Sequence, residues 1–316
     1  MPATMTHQLF AKEVIQSVEE TFPLLKEKEH ILMLATQGPD PFFFYQRLPW
    51  QKAQDSSRIR NIGSFLHHHT PAIQLQKLYD AALSLKDDDV YAYMIGALMH
   101  YVLDKHVHPY VFSRSGFTNQ GTLTKPYNIY HSHMETLIDV ALMKEKKVQA
   151  KQLHPAKNIK LSETILKKID ALYVKAYPDF VQPQDFFKAA KDMYKVYQTL
   201  YDGLGFKRIL LMIFLGKKSH AFATSHPRKL KGFEQKDVLN LTHIEWRHTE
   251  TGMSSQDDVI MMIERAKKEM LDILSNIQKQ HIDFDSWTKN INYDGLTSEG
   301  KHTYHTLMFP LWRVSQ

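Results

Sequence analysis

The sequence contains no cysteine, which excludes several classes of protein at once. Disulfide-stapled scaffolds, zinc fingers built on thiolates and enzymes with a cysteine nucleophile all need this residue. Any metal ion that the protein binds must therefore be held by histidine, aspartate or glutamate side chains.

Long hydrophobic runs are missing as well. The longest, residues 208–216 and 91–99, fall well short of the roughly 20 apolar residues that a membrane-spanning helix needs. The N-terminus has no basic stretch followed by an apolar one, so no signal peptide is predicted. With neither feature in the sequence, we expect the protein to be cytoplasmic.

The composition shows no sign of disorder or low complexity. Of the 316 residues, 43% are hydrophobic and 23% charged, which is typical of a globular protein. The net charge of +6 is densest in residues 144–168 and 217–231. A solvated basic face is the favoured interpretation, and contact with phosphate or an anionic membrane surface is the alternative.

Apolar residues recur at helical spacing through most of the chain. Leu75, Leu78, Ala82 and Leu85 form one such series, and residues 259–277 contain the longest. Glycine and proline divide the pattern into nine or ten helices, and alternating strand patterns are scarce.

The domain organisation follows from this pattern. The sequence predicts one all-α domain over residues 1–316. Residues 1–150 would form a metal-binding helical core, and residues 151–316 would add helices packed on it. The boundary falls in a polar stretch that contains a proline, near residues 151–160.

Histidine is present in excess, with 18 residues in all, eight of them from His67 to His133. In the segment GALMHYVLDKHVHPYVF, His100, Asp104 and His108 are spaced four residues apart. Such residues lie on one face of a helix, and imidazole with carboxylate suits Zn²⁺. The alternative is a solvated polar face, but the apolar residues between them indicate a buried helix, where polar groups need a partner.

A second segment, NIYHSHMETLIDVALM, repeats this geometry. His131 and Glu135 are four residues apart, and Asp139 follows a turn later. We predict His131 and Glu135 as metal ligands and Asp139 as a carboxylate that accepts a hydrogen bond from a ligating imidazole. One helical His/Glu pair alone is common, but two such segments separated by one loop favour a shared site.

Three further positions are candidates for the same site. Asp40 lies in the sequence GPD, after a helix-like run, at the end of an element where catalytic groups are often found. His67 and His68 belong to an HHH triplet just before Pro71; adjacent side chains cannot all point the same way, so the choice between them stays open. His7 lies on the first apolar helix.

These residues together resemble the zinc-dependent phospholipase C family, in its intracellular bacterial branch. The resemblance covers about residues 5–140 and rests on an ordered series: GPD, a histidine, HxxxDxxxH and HxxxE. The helical fold of this family is shared by single-strand nucleases of the P1/S1 type and by the catalytic domain of glycosylphosphatidylinositol-specific phospholipase D. The resemblance implies an all-α fold that holds two or three zinc ions in a cleft.

The resemblance also implies roles for individual residues. Asp40 is the catalytic candidate, as general base or metal ligand, Asp104 bridges two ions, and His7 lies at a third ion. The implied metal ligands are His7, Asp40, His67 with His68 as its substitute, His100, Asp104, His108, His131 and Glu135.

Two departures from the family pattern leave alternatives open. Secreted members bind the third ion through an N-terminal tryptophan, which the start MPAT does not offer, so two ions are the alternative to three. Bacterial secreted members also place the second histidine six residues after the aspartate, where this chain has Tyr110. The spacing of four is more similar to the phospholipase D relatives, and His106 competes with His108 as the ligand.

The activity implied by the resemblance is hydrolysis of a phosphodiester by zinc-activated water. A phospholipid is one candidate substrate, no specific nucleic acid is expected because a strong basic groove is missing, and a transient membrane contact stays open. The alternatives are a nuclease-type phosphodiesterase and a non-catalytic helical scaffold with a closed metal site. The oligomeric state is left open.

Two other classes of helical metalloenzyme are less compatible with the sequence. A di-iron carboxylate bundle needs Glu-x-x-His pairs on long core helices, and the pairs present lie in charged, short or glycine-containing stretches. An HD-type phosphohydrolase needs a His-Asp dipeptide, and none of the 18 histidines precedes an aspartate.

Overall fold

The computed structural model describes residues 4–48, 51, 56–115, 127–148, 153–202, 206–215, 237–279, 281–297 and 300–303. Over these ranges the chain is all-α, which confirms the predicted class. The longer helices are α1 (Thr4–Val18), α4 (Ser56–His68), α5 (Pro71–Leu85), α6 (Asp88–Ser115), α7 (Tyr127–Glu145), α9 (Glu163–Ala176), α10 (Asp185–Leu200), α11 (Phe206–Leu215) and α12 (Val259–Gln278). The short ones are α2 (Pro23–Glu27), α3 (Glu29–Ala35), α8 (Pro155–Asn158) and α13 (Phe284–Thr288).

The described ranges thus contain thirteen α-helices, nine long and four short, whereas the sequence predicts nine or ten in all. The short helices have seven residues or fewer, which is too few to show a full hydrophobic repeat. A 3-10 helix, η1 (Asp40–Phe44), follows α3. In the part of the chain that the structure describes, no helix combines the length and the apolar character needed to cross a bilayer.

Helix α6 is the axis of the fold. It is 28 residues long, and α1, α3, α5, α7, α9 and α12 all pack against it. The carboxylate of Asp87 accepts hydrogen bonds from the backbone N–H groups of Asp89 (2.9 Å) and Val90 (3.2 Å), which caps the start of the helix. Residues 92–104 are all buried, so polar side chains in this stretch lie inside the molecule.

The second half of the chain closes the core around α6. One hydrophobic cluster runs from Phe10 to Tyr293 and includes side chains from both halves of the sequence. Helix α12 begins after Asp258, whose side chain accepts a hydrogen bond from the Met261 N–H (2.7 Å), and places its apolar face on α6 and α1. Helices from both halves of the chain therefore cover α6.

A small antiparallel hairpin precedes α12. It consists of β1 (Trp246–Arg247) and β2 (Ser254–Ser255), and Trp246 lies opposite Ser255. The Trp246 ring is buried and meets Tyr110 of α6 edge-on, with centroids 5.5 Å apart, so it is a core residue. The hairpin is the only paired sheet in the described ranges.

The outward face of α6 carries a charge cluster that ties it to α12 and α13. Glu269 of α12 accepts a hydrogen bond from Trp287 Nε1 (2.6 Å) and lies 2.7 Å from His106 Nε2, and it also pairs with Lys105. Burial raises the pKa of the Glu269 carboxyl, but His106 and Lys105 outweigh burial and lower the pKa to about 2.

We expect Glu269→Gln to lower the free energy of unfolding by about 1–2 kcal/mol at neutral pH, after allowance for partial solvent screening. The folded pKa of about 2 lies below the usual 4.5, so the interaction stabilises the fold above pH 4.5 and is lost as the pH falls towards 2. Urea unfolding across this range should show a flatter acid limb for the variant. Glu264→Gln, on the exposed side of the same helix, is the control and should leave the limb unchanged.

Candidate metal centre

The fold brings eight of the nine predicted metal ligands together in three groups. In each group the ligand atoms lie within 4.8 Å of one another, and all the side chains are buried. The His7 group is His7, His100 and Asp104; the Asp40 group is Asp40, His67 and His100; the Glu135 group is His108, His131 and Glu135. His100 belongs to both the His7 group and the Asp40 group.

Helix α6 supplies the middle of the site. His100, Asp104 and His108 occupy successive turns of one face, as their spacing predicts. Helix α1 brings His7 to this face, and α7 brings the Glu135 pair. The remaining side chains come from the start of η1 and the last turn of α4.

The carboxylate of Asp104 lies between two histidines. His7 Nε2 is 3.1 Å from Asp104 Oδ1, and His100 Nε2 is 3.2 Å from Asp104 Oδ2. His108 Nε2 is 3.6 Å from Asp104 Oδ1. One carboxylate therefore faces ligand atoms of both the His7 group and the Glu135 group, which is the arrangement expected of a bridging ligand.

Asp40 is the second carboxylate near His100, after Asp104. Its Oδ1 is 3.1 Å from His67 Nε2 and 4.0 Å from His100 Nε2. The turn before it depends on Gly38, whose φ of +49° is left-handed. The Gly38 carbonyl accepts hydrogen bonds from the hydroxyls of Tyr93 (3.1 Å) and Tyr173 (3.2 Å), which fix the turn beside α6.

The Glu135 group is the most compact of the three. Glu135 Oε1 is 2.9 Å from His131 Nε2 and 3.2 Å from His108 Nε2. Two imidazoles thus converge on one carboxylate oxygen. This group lies on the C-terminal side of His100 along α6.

Three of the histidines are oriented by backbone carbonyls. The Nδ1 atoms of His100, His67 and His108 lie 3.1 Å from the Thr36 carbonyl, 2.7 Å from the Gly63 carbonyl and 2.9 Å from the Tyr293 carbonyl. A carbonyl only accepts, so each Nδ1 must donate. The lone pair of each ring in its neutral form is then on Nε2, and that atom faces the centre.

The donor atoms of the three groups lie close enough together for a metal ion to bind between them. His100 Nε2, both carboxylate oxygens of Asp40 and Asp104 Oδ2 are buried and make no hydrogen bond, although they lie close to other polar atoms. Zinc bonds of about 2.0–2.1 Å in a tetrahedron place ligand atoms about 3.3 Å apart. The separations of 2.9–3.2 Å within the groups are near that value, and they are equally those of N–H···O hydrogen bonds.

The charges of the groups also suit a cation. Burial would raise the pKa of the Asp104 carboxyl, but His100, His108 and His7 hold it well below its usual range, so the group is a carboxylate. Burial lowers the pKa of His100 to about 4, which leaves the neutral imidazole that a metal needs. Burial opposes protonation of His108 too, but Asp104 and Glu135 raise its pKa to about 10, so a metal must displace a proton there.

The structure places the histidines that the sequence leaves open in different surroundings. His67 faces Asp40, whereas the exposed His68 turns to Asp294, 3.3 Å away, and lies outside all three groups. His108 faces the centre, and His106 turns to Glu269 on the opposite side of α6. The assignment of His68 as a ligand is not supported by this geometry.

A run of four aromatic residues follows Asp40. Phe42 and Phe44 are fully buried in the core. Phe43 is half-buried, and its ring centroid lies 5.1 Å from that of His67. In the described part of the chain, Phe43 is the only one of these four aromatic residues whose ring contacts a side chain of the metal centre.

The C-terminal half contributes to the site in a way that the sequence does not predict. The Tyr293 ring lies 4.7 Å from His67, and the buried Asp294 has one oxygen 3.7 Å from His108 Nδ1. Burial raises the pKa of Asp294, but its contacts with His68 and His108 lower it to about 2. No spacing rule connects these residues to the ligands, because they lie far away in the sequence.

Asp139 supports the site from α7. Its carboxylate accepts hydrogen bonds from the backbone N–H groups of Met5 (3.0 Å) and Thr6 (2.7 Å) and from the Thr6 hydroxyl (2.7 Å). These are donors of the first turn of α1, where a negative charge is favourable. Asp139 therefore positions the helix that carries His7; the predicted bond from a ligating imidazole stays a prediction.

We expect Asp139→Asn to lower the free energy of unfolding by about 1–3 kcal/mol, because an amide keeps only one acceptor oxygen and would leave a buried N–H group of α1 facing another donor. Zinc should be lost from the His7 group before the Glu135 group. Denaturation and metal content per chain measure the two effects. Asp283→Asn, an exposed helix cap at the start of α13, is the control and should leave the metal content unchanged.

Comparisons with known proteins found no matching family model, no similar curated protein and no similar solved structure. The chemistry of the site is therefore inferred from its own side chains. Residues 1–3, on which any contribution of the N-terminus to a third ion depends, lie outside the described residues.

Proposed function

We propose that the protein is a zinc-dependent phosphodiester hydrolase of the phospholipase C type. The observation that carries the proposal is the set of eight buried histidine and carboxylate side chains, which α1, η1, α4, α6 and α7 bring together in three adjoining groups. One closed site of four ligands would be enough for stability alone. A carboxylate such as Asp104, which faces histidines of two groups, is instead typical of centres that bind several ions and act on phosphate.

In this proposal the ions are zinc, two or three in number. His100 has a single lone pair for a metal, at Nε2, because its Nδ1 donates to the Thr36 carbonyl. It would therefore ligate one ion, in the His7 group or in the Asp40 group, and the Glu135 group would hold another. Bound zinc would supply an acidified water molecule and positive charge for the phosphoryl oxygens. The nitrogen and oxygen donor set, without sulfur, is compatible with zinc and with related divalent metals.

Asp40 has the role of general base in the proposal. Its two oxygens are buried and make no hydrogen bond, so they are available to accept a proton or to orient a water molecule. Asp40 lies at the start of η1, on a turn fixed by the Tyr93 and Tyr173 hydroxyls, so its position is set by the backbone. Phe43 and His67 beside it restrict the access of solvent.

The fold in this proposal is that of the phospholipase C and P1-type nuclease group, which belongs to the all-α class. The substrate is a phosphodiester, and a phospholipid is the first candidate. There are two competing possibilities. A nuclease-type phosphodiesterase would cleave nucleic acid, and a non-catalytic metal-binding scaffold would cleave no phosphodiester.

The test combines metal analysis with turnover. Protein purified without chelator or histidine tag should contain two or three zinc ions per chain, and it should hydrolyse bis(p-nitrophenyl) phosphate and phosphatidylcholine vesicles. Activity should disappear on chelation and return with zinc. Less than one metal ion per chain after zinc reconstitution would disprove the metal centre, and full zinc content without hydrolysis of either substrate or of single-stranded nucleic acid would favour the scaffold.

A further inference from the structure

Helix α11 exposes an apolar face to solvent. Its sequence is FKRILLMIFL. Five large apolar side chains are 54–79% exposed: Phe206, Ile209, Leu210, Ile213 and Phe214. Among the described elements, α11 makes no extensive packing contact with another helix.

Met212 is also 50% exposed, but the other five side chains lie on one side of the helix. At 3.6 residues per turn they fall within an arc of about 140°. The exposed Lys207 borders this arc, and Leu211, which lies outside it, is half-buried. The helix is thus apolar nearly all round, and most of its described apolar side chains meet solvent.

We propose that α11 is a membrane-docking helix, which lies in the surface of a bilayer containing anionic phospholipid. An interfacial helix buries one apolar face among the lipid chains and keeps basic residues at the headgroups. At ten residues α11 is too short to span a bilayer, so it lies in the surface.

Charge complementarity favours an anionic bilayer. The chain has a net charge of +6, and α11 itself carries Lys207 and Arg208 in its sequence and no acidic residue. Residues 217–231, which follow α11, contain five Lys or Arg residues and no Asp or Glu; their structure lies outside the described ranges. Basic residues near a membrane surface are attracted by anionic lipid headgroups.

The size of the face argues against a protein partner. A helix of ten residues is about 15 Å long and about 10 Å wide, whereas a stable protein interface buries about 800 Å² on each partner. A bilayer needs no shape complementarity, so a face of this size is sufficient there. The proposal does not depend on the metal centre, because its test measures binding and not turnover.

The test uses the full chain and vesicles made of equal parts phosphatidylcholine and phosphatidylglycerol, with vesicle flotation as the readout. The protein should float with the vesicles, and Ile213→Gln/Phe214→Gln should weaken binding by at least about tenfold. The matched control is Ile73→Gln/Leu83→Gln, which replaces two exposed apolar residues of α5 and should bind as the unaltered protein does. Circular dichroism checks that both variants keep their helices.

Several results would overturn the proposal. One is failure of the unaltered protein to bind these vesicles, and another is equal binding by the α11 variant. Equal binding to vesicles of phosphatidylcholine alone would show that the helix does not need anionic lipid, and would contradict that part of the proposal. A dimer in light scattering that the α11 variant converts to a monomer, without vesicle binding, would instead assign the face to self-association.

Discussion

Asp104→Asn is expected to remove at least one zinc ion per chain and to lower phosphodiesterase activity by more than about 100-fold. The substitution keeps the shape of the side chain but removes the negative charge between His7 and His100. Even residues that only support a metal ligand cost about 10–100-fold when they are changed, and Asp104 faces two ligand groups directly. Elemental analysis and hydrolysis of bis(p-nitrophenyl) phosphate measure the two effects.

Asp170→Asn is the control for Asp104→Asn. Asp170 is also buried, on α9, and its oxygens accept hydrogen bonds from the N–H groups of Gln184 (2.7 Å) and Phe187 (3.1 Å). This variant is expected to lose stability but to keep its zinc content after reconstitution. If Asp104→Asn retained full zinc and full activity, the assignment of α6 as the centre of the site would be wrong.

Gly38→Ala is expected to disturb the metal centre without removing a ligand. A Cβ atom at this position would lie 2.3 Å from Cδ2 and 2.7 Å from Cγ of His100, so the ring would have to move. The left-handed φ of +49° adds about 1–2 kcal/mol for a residue with a side chain. Overpacking adds about 1–3 kcal/mol, so we expect a total loss of about 2–5 kcal/mol in unfolding free energy, together with weaker zinc retention.

Gly252→Ala separates backbone strain from the displacement of His100. Gly252 also has a positive φ, of 70°, but it lies in the turn between β1 and β2. This variant should lose about 1–2 kcal/mol and keep its zinc. Equal zinc retention by the two variants, measured against a competing chelator, would show that His100 does not need its present position to bind metal.

The parts of the site that follow from local geometry could be predicted from the sequence. The spacing of four residues in α6 and α7 fixes which side chains share a helix face, whatever the rest of the fold is. The choice between His67 and His68 could not be made in this way, because both lie in the last turn of α4 and differ only in rotation about its axis. That rotation is set by tertiary packing of α4 on η1.

Contacts between distant parts of the chain were beyond prediction for a different reason. Tyr293, Asp294 and Glu269 face helix α6 because the second half of the chain folds back on it. Nothing in the periodicity of one helix states which distant residue will cover it. The long helices could likewise be predicted, and the four short ones could not, because they are held by neighbours rather than by a hydrophobic repeat of their own.

The bond between the His108 Nδ1 atom and the Tyr293 carbonyl has a consequence for the order in which the protein matures. During synthesis the ribosome completes every ligand, up to Glu135, well before it reaches Tyr293. Until that carbonyl arrives, nothing in this bond holds the His108 ring in its orientation. A nascent chain would therefore contain all the metal-binding side chains while the His108 ring could still turn, and the Glu135 group would wait for the second half of the chain before its ligands were set.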